Sequence, residues 1–278
     1  MASTTPAGLE IRPRQLDFDL PNPLPRHWHG GDAFKTHMFN AMSVLFPDGE
    51  RFFIESVRLF REQIEDPVLK EQIRGFIGQE GHHSHEHLAY NQRLRELGYD
   101  IDYLERGLKR RLAFVKKHLP HDAQLASTCA VEHFTAIMAD ALLKDPQWLA
   151  GADPKMARLW RWHALEETEH KAVAFDVYQQ TCGSRWLLRR AMVQSTFFFT
   201  WDTTKGLLHM LKRDGLLWNW RVWRDGLTWL WGKDGIYRKL VGVYLDFYRG
   251  DFHPWQHNNL ELVARFKGDY EPQSSAAA

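Results

Sequence analysis

The sequence predicts an all-α protein: a four-helix bundle, an extended arm before it and added helices after it. Two observations carry this. Apolar residues recur at three- and four-residue spacing through long segments, while strand-like alternation is nearly absent. Asp-Pro and Gly signals also punctuate these segments at intervals that suit helices joined by short turns.

Residues 1–34 are proline-rich, contain Gly30-Gly31 and read as an extended arm. Residues 35–183 carry the bundle. Its first helix is expected from Asp48 or Gly49 to about Ile64, where "EDP" at 65–67 breaks it and Pro67 suits a first helical position. The second runs to about Leu97 and stops at Gly98. A shorter helix covers roughly 102–118 and ends at "HLPHD". Asp122 is expected to cap a helix over 123–144, and Asp153-Pro154 to start one reaching about Gln180. Residues 184–268 form an aromatic-rich C-terminal region expected to pack on the bundle. Residues 269–278 read as a disordered tail.

Composition narrows the function classes. The chain has 278 residues, 44% hydrophobic and 26% charged, ordinary for a globular protein with a sizeable core. A net charge of +1 gives no overall field that would attract nucleic acid. Two cysteines, Cys129 and Cys182, offer no disulfide framework and suit a reducing cytoplasm. The first residues lack a charged start followed by an apolar run, so no secretory signal is expected. No stretch free of Asp, Glu, Lys and Arg approaches the ~20 residues that span a bilayer.

The stretch "QEGHHSHEH", residues 79–87, crowds four histidines and two glutamates together. Glu80 and His83 are three apart and share a helix face. One such pair is weak evidence, but "HALEETEH" repeats it with Glu167 and His170. The two remaining bundle helices offer Glu50 in "FPDGERFF" and Glu132 in "TCAVEHFTAIMADALL", the latter in a setting where an unpaired carboxylate is costly to bury. Registers agree as well. Glu50 precedes the turn near residue 66 by about as many residues as Glu80 follows it. Glu132 and Glu167 are placed likewise about the turn near 150, so both hairpins bring their acids to one height.

One Glu from each of two helices and Glu-x-x-His from each of two others is the donor set of a carboxylate-bridged dinuclear metal site in a helical bundle. Four carboxylates offset two divalent ions, and imidazoles leave open positions for dioxygen or substrate. In this order the chain resembles the ferritin-like non-haem diiron proteins. "FPDGERFF", "QEGHHSHEH" and "HALEETEH" more narrowly resemble a bacterial family of predicted metal-dependent hydrolases, over roughly residues 20–265. His163, four before Glu167, completes a His-x-x-x-Glu-x-x-His run similar to that of diiron arylamine N-oxygenases. That resemblance implies a third imidazole ligand, set against a histidine lying behind the metals or in the core. His87 shares the face of Glu80 and His83 and is expected behind them. Arg51 and Glu55 are candidates to orient Glu50, and Asp140 and Asp176 to hold ligand histidines. Glu166 and Glu169 are expected to flank the site without binding metal.

Residues 184–240 hold seven of the 12 tryptophans, with eleven Lys or Arg against four Asp. Packing over the bundle explains such a region; peripheral contact with the inner face of an anionic membrane is the alternative. The resulting expectation is a diiron oxygenase or oxidase acting on an apolar, lipid-like or aromatic substrate. Its cofactor is two iron ions, with manganese in either position left open. Dioxygen is the co-substrate, and electrons come from a separate donor, since no flavin or nicotinamide fingerprint is present. A homodimer is left open. A hydrolase using metal-activated water and a metal-storage protein are the competing readings.

Overall fold

The computed structural model describes residues 5–6 and 8–270, and every regular element among them is a helix. In chain order these are α1 (Ala33–Arg58), α2 (Pro67–Glu96), α3 (Ile101–His118), α4 (His121–Lys144), α5 (Pro154–His170), α6 (Val173–Thr181), α7 (Arg185–Arg213), α8 (Trp220–Trp231), α9 (Ile236–Asp246) and α10 (Leu260–Lys267). The first two helices pack together, α4 packs on α5, and contacts of α1 with α4 and of α2 with α5 close a four-helix bundle. Outside it, α7 lies along α1 and α4, α3 reaches α1 and α7, and α8 to α10 cover the remaining flanks. Part of the expected tail, residues 271–278, lies outside the described residues, as do 1–4 and 7 of the arm. Among the described residues, no helix is long and apolar enough to cross a membrane.

Three helix limits differ from the sequence expectation, each for a local reason. The first helix begins at Ala33, capped by Asp32, and runs through Pro47 instead of starting after it. Proline removes one N–H and so frees the carbonyl four residues earlier. That carbonyl, of Ser43, accepts from Asn91 Nδ2 on α2 at 3.1 Å, and the helix continues. The fourth begins at His121 with Pro120 at the cap; Asp122 lies in the first turn, accepting from the Ala123 N–H at 2.7 Å. The fifth ends at His170. Lys171 and Ala172 form a turn before α6, with Lys171 Nζ held by the His257 carbonyl at 2.7 Å and Asn259 Oδ1 at 2.8 Å. The ends of α2 match the local signals: Asp66 caps it over Pro67, and Gly98 follows with φ +89°.

The arm is seated on the bundle by two glycines. A Cβ at Gly75 would overlap the backbone and side chain of Ile11, and one at Gly78 would overlap the ring of Pro13. Their absence lets residues 11–13 lie directly against α2. Farther along, Asp214 at the end of α7 accepts from Arg26 Nη1 at 2.7 Å, His27 Nε2 at 2.7 Å, His37 Nε2 at 2.9 Å and Tyr99 OH at 3.0 Å. One carboxylate thus ties the arm, α1, the loop before α3 and α7.

Replacing Asp214 with Ala strands buried donors and is expected to cost about 2–4 kcal/mol, measured by urea unfolding. Burial alone would raise this carboxyl, but hydrogen bonds from His37, His27 and Arg26 hold it far below the usual range. Its contribution is therefore complete above ~3.9 and is lost only in strong acid. Burial lowers His37, so folding opposes its protonation. Stability begins to fall as pH drops below ~6.5, well before Asp214 titrates.

Candidate metal centre

Two apolar clusters divide the bundle along its axis. One gathers Phe34 to Phe46 with Tyr90, Leu94 and Trp160; the other gathers Phe52, Phe53, Phe76, Leu125 and Val173 to Tyr178. Between them lies a polar layer. Glu50 of α1, Glu80 and His83 of α2, Glu132 of α4, and His163, Glu167 and His170 of α5 are all buried there. Their donor atoms form three overlapping groups with separations within 4.8 Å: Glu50, His83 and His163; Glu80, Glu132 and His170; and Glu80, His83 and Glu167. The first two are end groups, and the third joins them, sharing His83 with the first and Glu80 with the second.

Glu167 also faces both ends. Its Oε1 is 3.2 Å from His163 Nε2 and 3.6 Å from His83 Nδ1, while its Oε2 is 3.6 Å from His170 Nε2. His170 Nε2 further lies 3.1 Å from Glu80 Oε1 and 3.6 Å from Glu132 Oε2.

Hydrogen bonds around this layer fix which nitrogen faces inward. Asn91 Nδ2 donates to the Ser43 carbonyl, leaving its Oδ1 to accept from Ser43 Oγ at 2.9 Å. Ser43 Oγ then accepts from His87 Nδ1 at 2.8 Å, so His87 Nε2 accepts from His163 Nδ1 at 2.9 Å. The chain leaves His163 Nε2 with a free lone pair aimed into the cluster. At the other end Gln79 Nε2 donates to Glu169 Oε2 at 2.8 Å and to the Arg12 carbonyl at 3.2 Å. Its Oε1 therefore accepts from His170 Nδ1 at 2.8 Å, and His170 Nε2 points inward. Arg14 from the arm locks this side, contacting Glu169 at 2.7 and 2.8 Å and Glu166 at 3.1 Å.

The inner atoms lack compensation. Both oxygens of Glu80 and of Glu132, Glu50 Oε1, Glu167 Oε2, both nitrogens of His83 and His170 Nε2 have no hydrogen-bond partner. The histidine–carboxylate approaches above are close but out of hydrogen-bonding alignment. Burial, with repulsion among the carboxylates, pushes Glu50, Glu80 and Glu132 well above the usual range. Burial also opposes charge on Glu167, but His170 and His163 hold that carboxyl well below, and His170 itself is pushed up to about 9. Such buried groups with unfilled lone pairs need either protons or cations. Four carboxylates would offset two divalent cations, and imidazole nitrogens are turned into the same layer, so this donor set fits a metal pair.

Other expectations resolve differently. Glu50 Oε2 accepts from Ser84 Oγ at 2.9 Å; Arg51 instead pairs with Asp48, and Glu55 with Lys116. Asp176 bonds His253 and Asp140 bonds Lys144 and Asn259, so the site histidines are held by Gln79 and His87. Glu166 is buried with its Oε2 3.1 Å from His83 Nε2, and burial pushes it up to about 8 against the pull of Arg14. Arg14, Ser43, Asn91 and Gln79 were missed as contributors. Only Gln79, adjacent to Glu80, sat in a stretch that drew notice.

A cavity of about 600 Å³ reaches the layer at Glu50, His163 and Glu167. Its walls are apolar residues of α1, α3, α4 and α7, among them Phe46, Phe53, Leu112, Val131 and Phe199. Charged groups, including the paired Arg111 and Asp202, also line it.

Comparison with known proteins adds one match. A family model described as predicted metal-dependent hydrolase covers residues 12–258. No curated protein and no solved structure matches.

Proposed function

The chain belongs to the predicted metal-dependent hydrolase family, and from that premise and the buried cluster we propose a dinuclear metalloenzyme that oxidises an apolar substrate with dioxygen. Glu50, Glu80, His83, Glu132, His163, Glu167 and His170 are the residues that would hold the metal. The observation carrying this is the set of buried donor atoms on Glu50, Glu80, His83, Glu132, Glu167 and His170 that no hydrogen bond satisfies. Two iron ions held there would supply redox electrons and open positions for dioxygen.

The protein's own residues do the rest. Gln79 and His87 hold His170 and His163 in the tautomers that keep Nε2 free. The cavity, apolar over most of its walls, would present a bulky apolar molecule to the end of the site formed by Glu50 and His163. Reducing equivalents come from a partner. A storage role would have no use for an apolar chamber of this size.

Hydrolysis is the second reading, carried by the family's description. Metal analysis with oxygen uptake separates the two. The proposal expects two irons per chain and dioxygen consumption by the reduced protein. Zinc as the resident metal, cleavage of an ester or amide, and indifference to dioxygen would establish hydrolysis instead.

A further inference from the structure

We propose that the face carrying the cavity mouth docks on an anionic lipid bilayer. Successive residues of α7 advance by about 100°, which places Trp186, Arg190, Val193, Phe197, Trp201 and Leu208 in one stripe along its outer side. Trp186 is 67% exposed, Val193 59%, Phe197 62% and Trp201 61%. Bulky side chains of an α7 merely covering the bundle would be turned inward, and these are not. Arg190 in the stripe and, about a quarter turn away, Gln194 and Phe198 line the cavity, so stripe and mouth share one side of the molecule. Phe114 and Leu119, at the end of α3, are exposed lining residues from across the opening.

Charge selects the occupant. No exposed residue of α7 is acidic, whereas Arg189, Arg190, Lys212 and Arg213 are exposed. The helix's sole acid, Asp202, is buried against Arg111. On α3 the exposed charges from 109 onward are basic as well: Arg110 and Lys117, with Lys109 and Lys116, which pair with Glu105 and Glu55. A second copy meeting this stripe across a two-fold axis would set basic residues against basic residues. An anionic headgroup layer complements them, with tryptophan and phenylalanine at the headgroup depth and Arg at the phosphates. The contact is narrower than the whole 184–240 region, because α8 and α9 are not needed for it. Docking would set the cavity mouth against the acyl layer. That consequence for substrate supply rests on the proposed catalytic function; the docking does not.

Co-sedimentation with vesicles tests it on the full chain, with no turnover required. Vesicles containing about one-third phosphatidylglycerol in phosphatidylcholine are expected to bind at least tenfold better than phosphatidylcholine alone, with loss at high salt. Trp186→Ser/Phe197→Ser/Trp201→Ser and, separately, Arg189→Glu/Arg190→Glu should each reduce binding at least tenfold. All five positions lie on the surface, and only Arg189 gives up a hydrogen bond, to the Tyr248 carbonyl at 3.0 Å, so circular dichroism should stay at parental values and the melting temperature should shift only slightly. Failure to bind anionic vesicles overturns the proposal, as does undiminished binding by both variants. A dimer that the aromatic variant converts to monomer, without vesicle binding, would assign the stripe to self-association instead.

Discussion

Glu80→Gln is expected to raise the stability of the metal-free chain and to remove the gain that metal brings to the parent. In the metal-free bundle Glu80 is surrounded by Glu132 and Glu167, and neither of its oxygens has a donor. Burial and the neighbouring charges of Glu167 and Glu166 raise its carboxyl well above the usual range. A carboxyl raised on folding contributes its full stability below the unfolded value of ~4.3 and loses it as pH climbs toward the folded value. The metal-free parent should therefore weaken steadily above pH 5. Glutamine keeps the shape, removes one titrating group and offers donors to the neighbouring carboxylates. The stability gap in its favour should widen by up to about 1.4 kcal/mol per pH unit. Metal reverses the ranking. At a hundredfold excess over Kd it stabilises the parent by about 2.7 kcal/mol. The variant lacks an anionic oxygen in two of the three donor groups, so it should bind metal at least about a hundredfold more weakly. Thermal melts from pH 5 to 8, with and without iron, read both effects. A variant less stable than the metal-free parent, or one loading two metals normally, would remove Glu80 from the proposed ligand set.

The sequence exposed local features and those that depend on helical spacing. Asp66-Pro67 and Gly98 mark the limits of α2 because capping and left-handed φ are decided within a few residues. Glu80 with His83, and Glu167 with His170, stand three apart, and that spacing alone puts each pair on one face. Pro47 misled for the same reason that it proved informative: the freed Ser43 carbonyl is satisfied by Asn91, a partner no local pattern could announce. The second layer was hidden likewise. His87 could be placed behind the site from its helix face, but its link through Ser43 to Asn91 is a meeting of α1 and α2. Glu166 and Glu169 were expected to flank the site without binding metal, and no local pattern announced how they are held. They are buried because an arginine more than 150 residues away reaches them.

Removing that arginine should have the largest effect on stability. Arg14→Met keeps the apolar stem that passes α2 but leaves Glu166 and Glu169 as buried carboxylates facing each other's charge. Breaking a buried ion pair from one side typically costs about 3–5 kcal/mol, far more than the pair contributes when intact. The pH dependence has a definite sign. Burial already pushes Glu166 up to about 8 with Arg14 in place. Without the guanidinium Glu166 should titrate higher still, so the loss is greatest at alkaline pH and shrinks as acid neutralises it. Urea unfolding at pH 5 and pH 8 measures this, and an equal loss at both would contradict it. The position also reaches the site, since Glu169 holds Gln79 and Gln79 holds His170 Nδ1. Weaker anchoring at the His170 end should lower metal affinity by about 10–100-fold while the His163 end, fixed from α2 through His87, keeps its geometry. Adding Glu169→Gln to Arg14→Met removes one stranded charge and leaves an amide able to accept from Gln79. It should recover part of the stability and part of the metal affinity together. Recovery of stability alone would mean that the arm supports the bundle without orienting its histidine.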